Sequence, residues 1–92
     1  MNKKQVWETV LGELEVVLSK ANFTTWFKDT FIYDYDNGSI IIGVPNSFTK
    51  EWLRNKYNTQ ITDVLKKQLP KLEKVEYKIS LNILLCNFFQ KH

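Results

Sequence analysis

The residues that carry most catalytic and metal chemistry are scarce in this sequence. There is one cysteine, Cys86, and one histidine, His92. This count rules out an internal disulfide and a Cys/His zinc site, and it argues against Ser-His-Asp and Cys-His triads. The phosphate-binding patterns GxxxxGK[ST] and GxGxxG are missing as well. Since the acidic residues have no matching His, Cys or metal-ligand partner, we predict no catalytic residue, no metal and no cofactor in this chain.

Long uncharged stretches are also missing. No segment approaches the ~20 apolar residues of a membrane-spanning helix, and residues 1–7 lack the apolar core of a secretory signal. We therefore expect a cytoplasmic protein without a membrane span. With 92 residues, 43% hydrophobic and 14% aromatic, the chain has the composition of one small folded domain. Such a domain offers little room for a pocket that buries a substrate, which favours a binding or assembly module.

Charge is distributed unevenly along the chain. The net charge is +3, but residues 1–46 carry −2 and residues 47–92 carry +5. Twelve of the thirteen basic residues are lysines, which bind as hydrated point charges, and Arg54 is the only guanidinium. This pattern permits weak attraction to nucleic acid or between copies of the chain, and it is equally typical of a solvated lysine-rich surface.

Apolar spacing in the first part of the sequence predicts two helices. Residues at three- and four-residue intervals indicate a helix over residues 3–19, with Asn2 as a candidate N-cap. Its apolar stripe consists of Trp7, Val10, Leu11, Leu14 and Leu18, with Val6 and Val17 beside it. A short second helix is predicted to begin at the capping residue Asn22 and to carry an aromatic face formed by Phe23, Trp26 and Phe27.

The middle of the sequence predicts a hairpin followed by a long helix. Two β-rich segments, 31–35 and 39–44, flank Asp36-Asn37-Gly38, and Asn-Gly supplies the positive φ angles of a tight turn. A helix is predicted over 47–69 and ends before Pro70. Its inward stripe is Leu53, Tyr57, Ile61, Val64 and Leu65, while Phe48 and Trp52 form a pair that lies off this stripe.

The last predicted element is a strand, which completes an α-α-β-β-α-β order. Residues 73–80 alternate charged and apolar side chains, so that Val75, Tyr77 and Ile79 face one way. The order predicts an α+β domain over residues 1–80, with a three-stranded sheet and helices packed on one face. The order of the strands stays open. Residues 81–92 form a strongly apolar tail, which is part of the domain, an extension of the last strand or the start of a linker or larger segment.

Several short strings occur together at a characteristic separation. They are Val6-Trp7, the run from Leu18 to Phe27 that contains Phe23-x-x-Trp26, and Pro45-Asn46-x-Phe48 followed by Trp52-Leu53 and Lys56-Tyr57. From about residue 6 to residue 79, the sequence resembles the N-terminal domain of the bacterial chromosomal replication initiator DnaA. The resemblance implies a KH-like fold and a domain that self-associates, helps to recruit the replicative helicase and docks regulators of initiation. It also implies weak contact with single-stranded DNA, with ATP bound only by later domains of a full-length initiator.

The resemblance places functions on particular residues. It implies that Val6, Trp7 and Val10 mediate self-association. Trp7 is the candidate interface anchor, and the alternative is that Trp7 packs in the core. Helicase and regulator binding falls on Asn22, Thr25, Trp26, Asn46, Phe48 and Thr49, with Phe48 as the strongest candidate because it lies off the inward stripe. Some members of the family carry an acidic residue at the position of Asn22, and asparagine supplies no charge for a salt bridge there.

A stand-alone single-stranded nucleic-acid binder is the alternative function. It would use the aromatic and basic side chains of the long helix, namely Phe48, Lys50, Trp52, Arg54 and Lys56, with Lys66 and Lys67 further along. The sequence lacks the GxxG loop with which KH domains hold an RNA backbone, since Gly43-Val44-Pro45-Asn46 does not match it. Ordinary KH-type RNA binding is therefore not expected.

Overall fold

The computed structural model describes residues 2–80, and these residues follow the predicted α+β order. Helices α1 (Lys3–Val17) and α2 (Lys20–Phe27) come first, followed by strands β1 (Phe31–Asp36) and β2 (Ser39–Val44). A continuous helical run then consists of α3 (Ser47–Trp52), a π-helical turn (Leu53–Tyr57) and α4 (Asn58–Gln68), and β3 (Lys74–Ile79) closes the order. The apolar tail predicted for residues 81–92, with Cys86 and His92, lies outside the described residues.

Side-chain caps determine where the first two helices begin. Asn2 caps α1 as predicted, because the Gln5 backbone N–H donates to Asn2 Oδ1 at 3.1 Å. The prediction that Asn22 caps α2 is wrong: Ser19 Oγ accepts from the Asn22 N–H at 3.2 Å, so α2 already begins at Lys20. Serine and asparagine cap about equally well, and the chain uses the one that comes first.

The hairpin forms at the predicted turn. Asn37 and Gly38 both have positive φ angles, 49° and 85°, which is the backbone of a tight two-residue connection. β1 and β2 pair antiparallel, with one irregularity between Ile32 and Asp34. This irregularity leaves Tyr33 without an opposite residue on β2.

The central strand of the sheet is β2. The order is β1-β2-β3, and β3 pairs with β2 in parallel after the long helical crossover. On β2 the side chains of Ile40, Ile42 and Val44 are fully buried against the helices. The helix layer thus covers one face of the sheet, and the connection from β2 leads directly into α3.

The long helix departs from the prediction at its centre. The five predicted stripe residues are all buried, but residues 53–57 form a π turn, which the periodicity did not indicate. The buried residues Leu53, Tyr57, Ile61 and Leu65 are four residues apart. In an α-helix of 3.6 residues per turn, side chains at this spacing move gradually around the helix, and the wider π turn offsets this rotation. Immediately after the π turn, Asn58 Oδ1 accepts from the Tyr77 hydroxyl at 2.8 Å, which ties the helix to β3. Burial raises the pKa of Tyr77 well above its ordinary value, so its hydroxyl keeps the proton that it donates.

Trp7 belongs to the core. It is 3% exposed and packs in the same cluster as the buried Val10 and Leu14. Its Nε1 donates to Thr30 Oγ1 at 3.1 Å, and Thr30 Oγ1 donates to the Phe27 carbonyl at 2.7 Å. These two bonds connect α1 to the segment that joins α2 and β1, so Trp7 holds three parts of the chain together.

Two glycine substitutions should change stability in opposite directions. At Gly43 an added Cβ would overlap the ring of Phe31, which lies across it on the outer sheet face. Gly12 is in the middle of α1 with nothing within 4 Å of an added Cβ. We expect Gly43→Ala to destabilise the fold by about 1–3 kcal/mol and Gly12→Ala to stabilise it by about 0.5–1 kcal/mol. Urea unfolding of both variants tests this, and a stabilised Gly43→Ala variant would contradict the packing described here.

Truncating Trp7 should be far more damaging than a surface mutation. Removing a buried aromatic ring leaves a cavity, and we expect Trp7→Ala to cost about 3–5 kcal/mol in the free energy of unfolding. Trp7→Phe keeps most of the ring volume and loses the hydrogen bond to Thr30, so its loss should be smaller. Urea unfolding followed by circular dichroism measures both. Wild-type stability in Trp7→Ala would show that the side chain lies on the surface instead.

Candidate functional site

Three aromatic rings form an exposed cluster between α2 and α3, which we call the aromatic patch. Trp26 stacks on Trp52 with ring centroids 4.6 Å apart and planes inclined by 16°. Trp26 also stacks on Phe48 at 6.4 Å and 27°. Phe48 is nevertheless 75% exposed and Trp52 is 36% exposed, while Trp26 is half-buried. The rings therefore support one another and still present apolar surface to solvent.

Local sequence features hold the patch in place. Phe48 and Trp52 are four residues apart on α3, so they share one helix face. Asn46 fixes the start of α3, since its Oδ1 accepts from the Thr49 backbone N–H at 2.8 Å. Trp26 comes from the last turn of α2, and its contact with Trp52 joins two helices that are distant in sequence.

The predicted helicase and regulator residues divide into three groups. Trp26 and Phe48 are in the patch, and Asn46 is the exposed cap beside it. Asn22 and Thr25 are exposed on α2, with Asn22 one turn before Trp26. Thr49 is different, because it is 5% exposed and its side chain is not available on this surface.

A groove of about 580 Å³ lies against the patch. Its walls are Ser47, Phe48, Glu51, Trp52, Asn55 and Lys56. Glu51 and Asn55 were not predicted as site residues. Glu51 follows Phe48 by three residues, and Asn55 follows Trp52 by three residues. Residues at this spacing are neighbours on a helix surface, so the positions of the two aromatic residues could have predicted both.

The charges near the patch are mainly positive. Lys56 Nζ lies 5.1 Å from the centroid of the Trp52 ring, a cation–π geometry. Arg54 is exposed and pairs loosely with Glu51 at 4.0 Å, and Lys50 is half-buried. Three of the predicted nucleic-acid residues therefore lie together: Phe48 and Trp52 in the patch, and Lys56 over the Trp52 ring. Such a surface can bind an apolar or aromatic group next to a negative one.

Lys67, a further basic candidate, lies on another surface. Lys67 Nζ pairs with Glu13 of α1 at 3.0 Å, so it links α4 to α1 and not to the patch. Among residues 2–80 there is no group of three or more His, Cys, Asp or Glu side chains that could hold a metal ion. No helix in this part of the chain is long and apolar enough to cross a membrane.

The predicted self-association residues are mostly inside the fold. Trp7 and Val10 are 3% and 0% exposed, and Val6 is half-buried against the core. The apolar stripe of α1 therefore packs in or against the core together with Val6, whereas Val17 and its neighbour Val16 are exposed. Self-association through Val6, Trp7 and Val10 stays a prediction, and only Val6 offers side-chain surface for it.

Comparison with known proteins relates this chain to replication initiators. The DnaA N-terminal domain family matches residues 4–67. Proteins described as chromosomal replication initiator protein DnaA are similar over about two thirds of the chain. The one from Roseiflexus castenholzii is 42% identical over 65 residues, 71% of this chain, and the one from Thermomicrobium roseum is 40% identical over the same share. The one from Deinococcus deserti is 35% identical over 63 residues, 68% of this chain. The chain spans 14% of the length of each of these relatives.

Proposed function

The chain belongs to the DnaA N-terminal domain family, and from this premise we propose that it is the protein-interaction module of a replication initiator. In this role it docks the replicative helicase and regulators of initiation on the aromatic patch, and it associates with copies of itself. ATP binding and reading of duplex DNA would belong to other parts of such an initiator. The single observation that carries the proposal is the exposure of the patch at Phe48 and Trp52.

The chemistry of the patch supports a protein partner. Phe48 is too exposed to contribute much to the core, and burying a phenylalanine side chain yields about 1.5–3 kcal/mol. Trp26 and Trp52 are already stacked in the free domain, so little ordering is needed when a partner covers them. A few rigid aromatic anchors beside a groove are the arrangement that dominates binding energy at protein interfaces.

Weak contacts suffice for this role when several copies act together. If initiator copies gather on one origin, each additional domain–helicase contact forms at a high effective concentration. A small domain with one modest docking surface then recruits the helicase without a tight single-site interaction. Self-association would strengthen this effect by holding the copies together.

Single-stranded nucleic acid is the second candidate ligand, because Lys56 lies over the Trp52 ring. A base stacked on an exposed aromatic ring beside a lysine is a common contact in single-strand binders. The nearby charges favour it only modestly, since Glu51 occupies the same groove and pairs with Arg54. We therefore rank protein docking first.

Phe48→Ala should weaken binding of the helicase or a regulator at least about tenfold, because truncating an anchor residue at an interface typically costs about 2 kcal/mol or more. Calorimetric titration of the partner measures the change. Val16→Ala is the matched control, since Val16 is 84% exposed on α1 and outside the patch. Both variants should keep wild-type unfolding curves. Equal isotherms for Phe48→Ala and wild type would remove the patch from the docking surface.

Oligonucleotide titrations at several salt concentrations separate the two ligand classes. We expect millimolar binding of short single strands, with little change in Lys56→Gln. If the patch is primarily a nucleic-acid site, binding will be tight and strongly salt-dependent. Lys56→Gln will then reduce the slope of log K against log salt by about 0.7.

A further inference from the structure

The two edges of the sheet differ in how they are protected. At the β1 edge the pairing is irregular between Ile32 and Asp34, and Lys3 of α1 reaches Asp34 at 3.7 Å. Bulges of this kind make an edge strand less able to pair with a strand of another chain. β3 runs in unbroken register with β2 from Lys74 to Ile79 and contains no proline. Within residues 2–80, no strand pairs with its other side.

The hydrogen bonds of β3 show which backbone groups face that open side. The Lys74 N–H donates to the Gly38 carbonyl at 3.1 Å, and the Ser80 N–H donates to the Val44 carbonyl at 2.8 Å. Because backbone groups alternate in direction along a strand, the even-numbered residues of β3 bond to β2. The N–H and C=O groups of Val75, Tyr77 and Ile79 therefore point away from β2, towards the open side.

We propose that this edge pairs antiparallel with β3 of a second copy, about a two-fold axis at Tyr77. The proposal rests on the self-association proposed above and gives it a surface. Within residues 2–80 no strand covers that edge, whereas the side chains of Trp7 and Val10 are buried in the core. The outward-facing groups of Tyr77 would bond to those of its copy, and those of Val75 to Ile79 of the second copy.

The charge pattern of β3 selects this register. With the axis at Tyr77, Glu76 lies opposite Lys78 of the second copy, and both point to the outer face of the sheet. With the axis at Glu76, Lys74 would instead lie opposite Lys78, and like charges directly opposite are destabilising. An axis at Val75 would leave Ile79 without a partner on the strand. Only the Tyr77 axis combines opposite charges with apolar pairing along the whole strand.

The apolar residues on the inner face also fit this arrangement. Ile79 is 47% exposed, although its strand neighbour Tyr77 is buried. In the proposed pair it lies opposite Val75 of the second copy, which is half-buried. Dimerisation would thus cover the exposed end of the strand and extend the sheet from three strands to six.

Existing contacts of these charges do not prevent the pairing. Lys78 Nζ donates to the Tyr33 hydroxyl at 3.1 Å, and Lys74 pairs with Glu76 at 3.5 Å. All these groups are exposed or half-buried, and exposed ion pairs contribute little to stability. Their side chains can therefore change partners when a second copy approaches.

A charge swap tests the proposal on the full 92-residue chain. Sedimentation equilibrium should show a dimer for wild type. In Glu76→Lys and in Lys78→Glu alone, the dimer dissociation constant should rise at least about tenfold, because two attractive pairs become repulsive. An equimolar mixture of the two variants should recover wild-type association as a heterodimer, and so should the double variant. Lys71→Glu, a charge change at an exposed residue outside β3, is the control and should leave association unchanged.

The results distinguish failure of this interface from failure of self-association. If wild type dimerises and neither single variant weakens it, the β3 interface is wrong while self-association stands. If the single variants weaken association but their mixture does not recover it, the Tyr77 register is overturned. A wild-type chain that stays monomeric at every concentration overturns both the interface and self-association, and docking at Phe48 remains a separate question. Circular dichroism of each variant confirms that the fold is retained.

Discussion

Burial of one face of β2 is the constraint on which the rest of the structure depends. Ile40, Ile42 and Val44 are completely removed from solvent, and each such side chain contributes about 1.5–3 kcal/mol through burial. They can be buried only if strands lie on both sides of β2 and helices cover it. The antiparallel hairpin supplies one neighbour, the long crossover supplies the other, and the helices of that crossover help to form the cover.

The position of the aromatic patch follows from the same constraint. β2 ends at Val44, and α3 begins three residues later with its cap at Asn46. The face of the helical run that meets the sheet carries Leu53 and Tyr57, so Phe48 and Trp52 are left on another face. Trp26 then packs against Trp52 from α2. The position of the patch thus follows from the packing of the long helix on the sheet, while its outer surface is open to solvent.

Local signals in the sequence predicted most of the helices and strands, but they did not predict which elements contact one another. The Asn37-Gly38 turn, the Asn2 cap and the buried stripe of the long helix each depend on residues close in sequence, and all are found in the structure. The order of the strands depends on a parallel pairing between residues 35 apart in sequence, such as Ser39 and Lys74, and the periodicity of one segment does not show which other segment pairs with it. The stacking of Trp26 on Trp52 is equally non-local. The apolar stripe of α1 was compatible with both core and interface, and only packing against Thr30 and the sheet decided that Trp7 is core.

The π turn lets the long helix accommodate one extra residue without rotating its two ends relative to each other. A π turn contains one residue more than an α turn would need, and one residue corresponds to about 100° of rotation around an α-helix. A chain one residue shorter between Leu53 and Tyr57 could continue as plain α-helix. The shorter turn would complete the same rotation with one residue fewer, so residues 58–68 and the side chains of Phe48 and Trp52 would all keep their directions. If the extra residue were instead kept in a plain α-helix, Phe48 and Trp52 would be turned by about 100° relative to the sheet. A one-residue deletion at this turn would therefore leave both the core and the docking face in place, so relatives could differ in the length of this helix and still present the same surface to a partner.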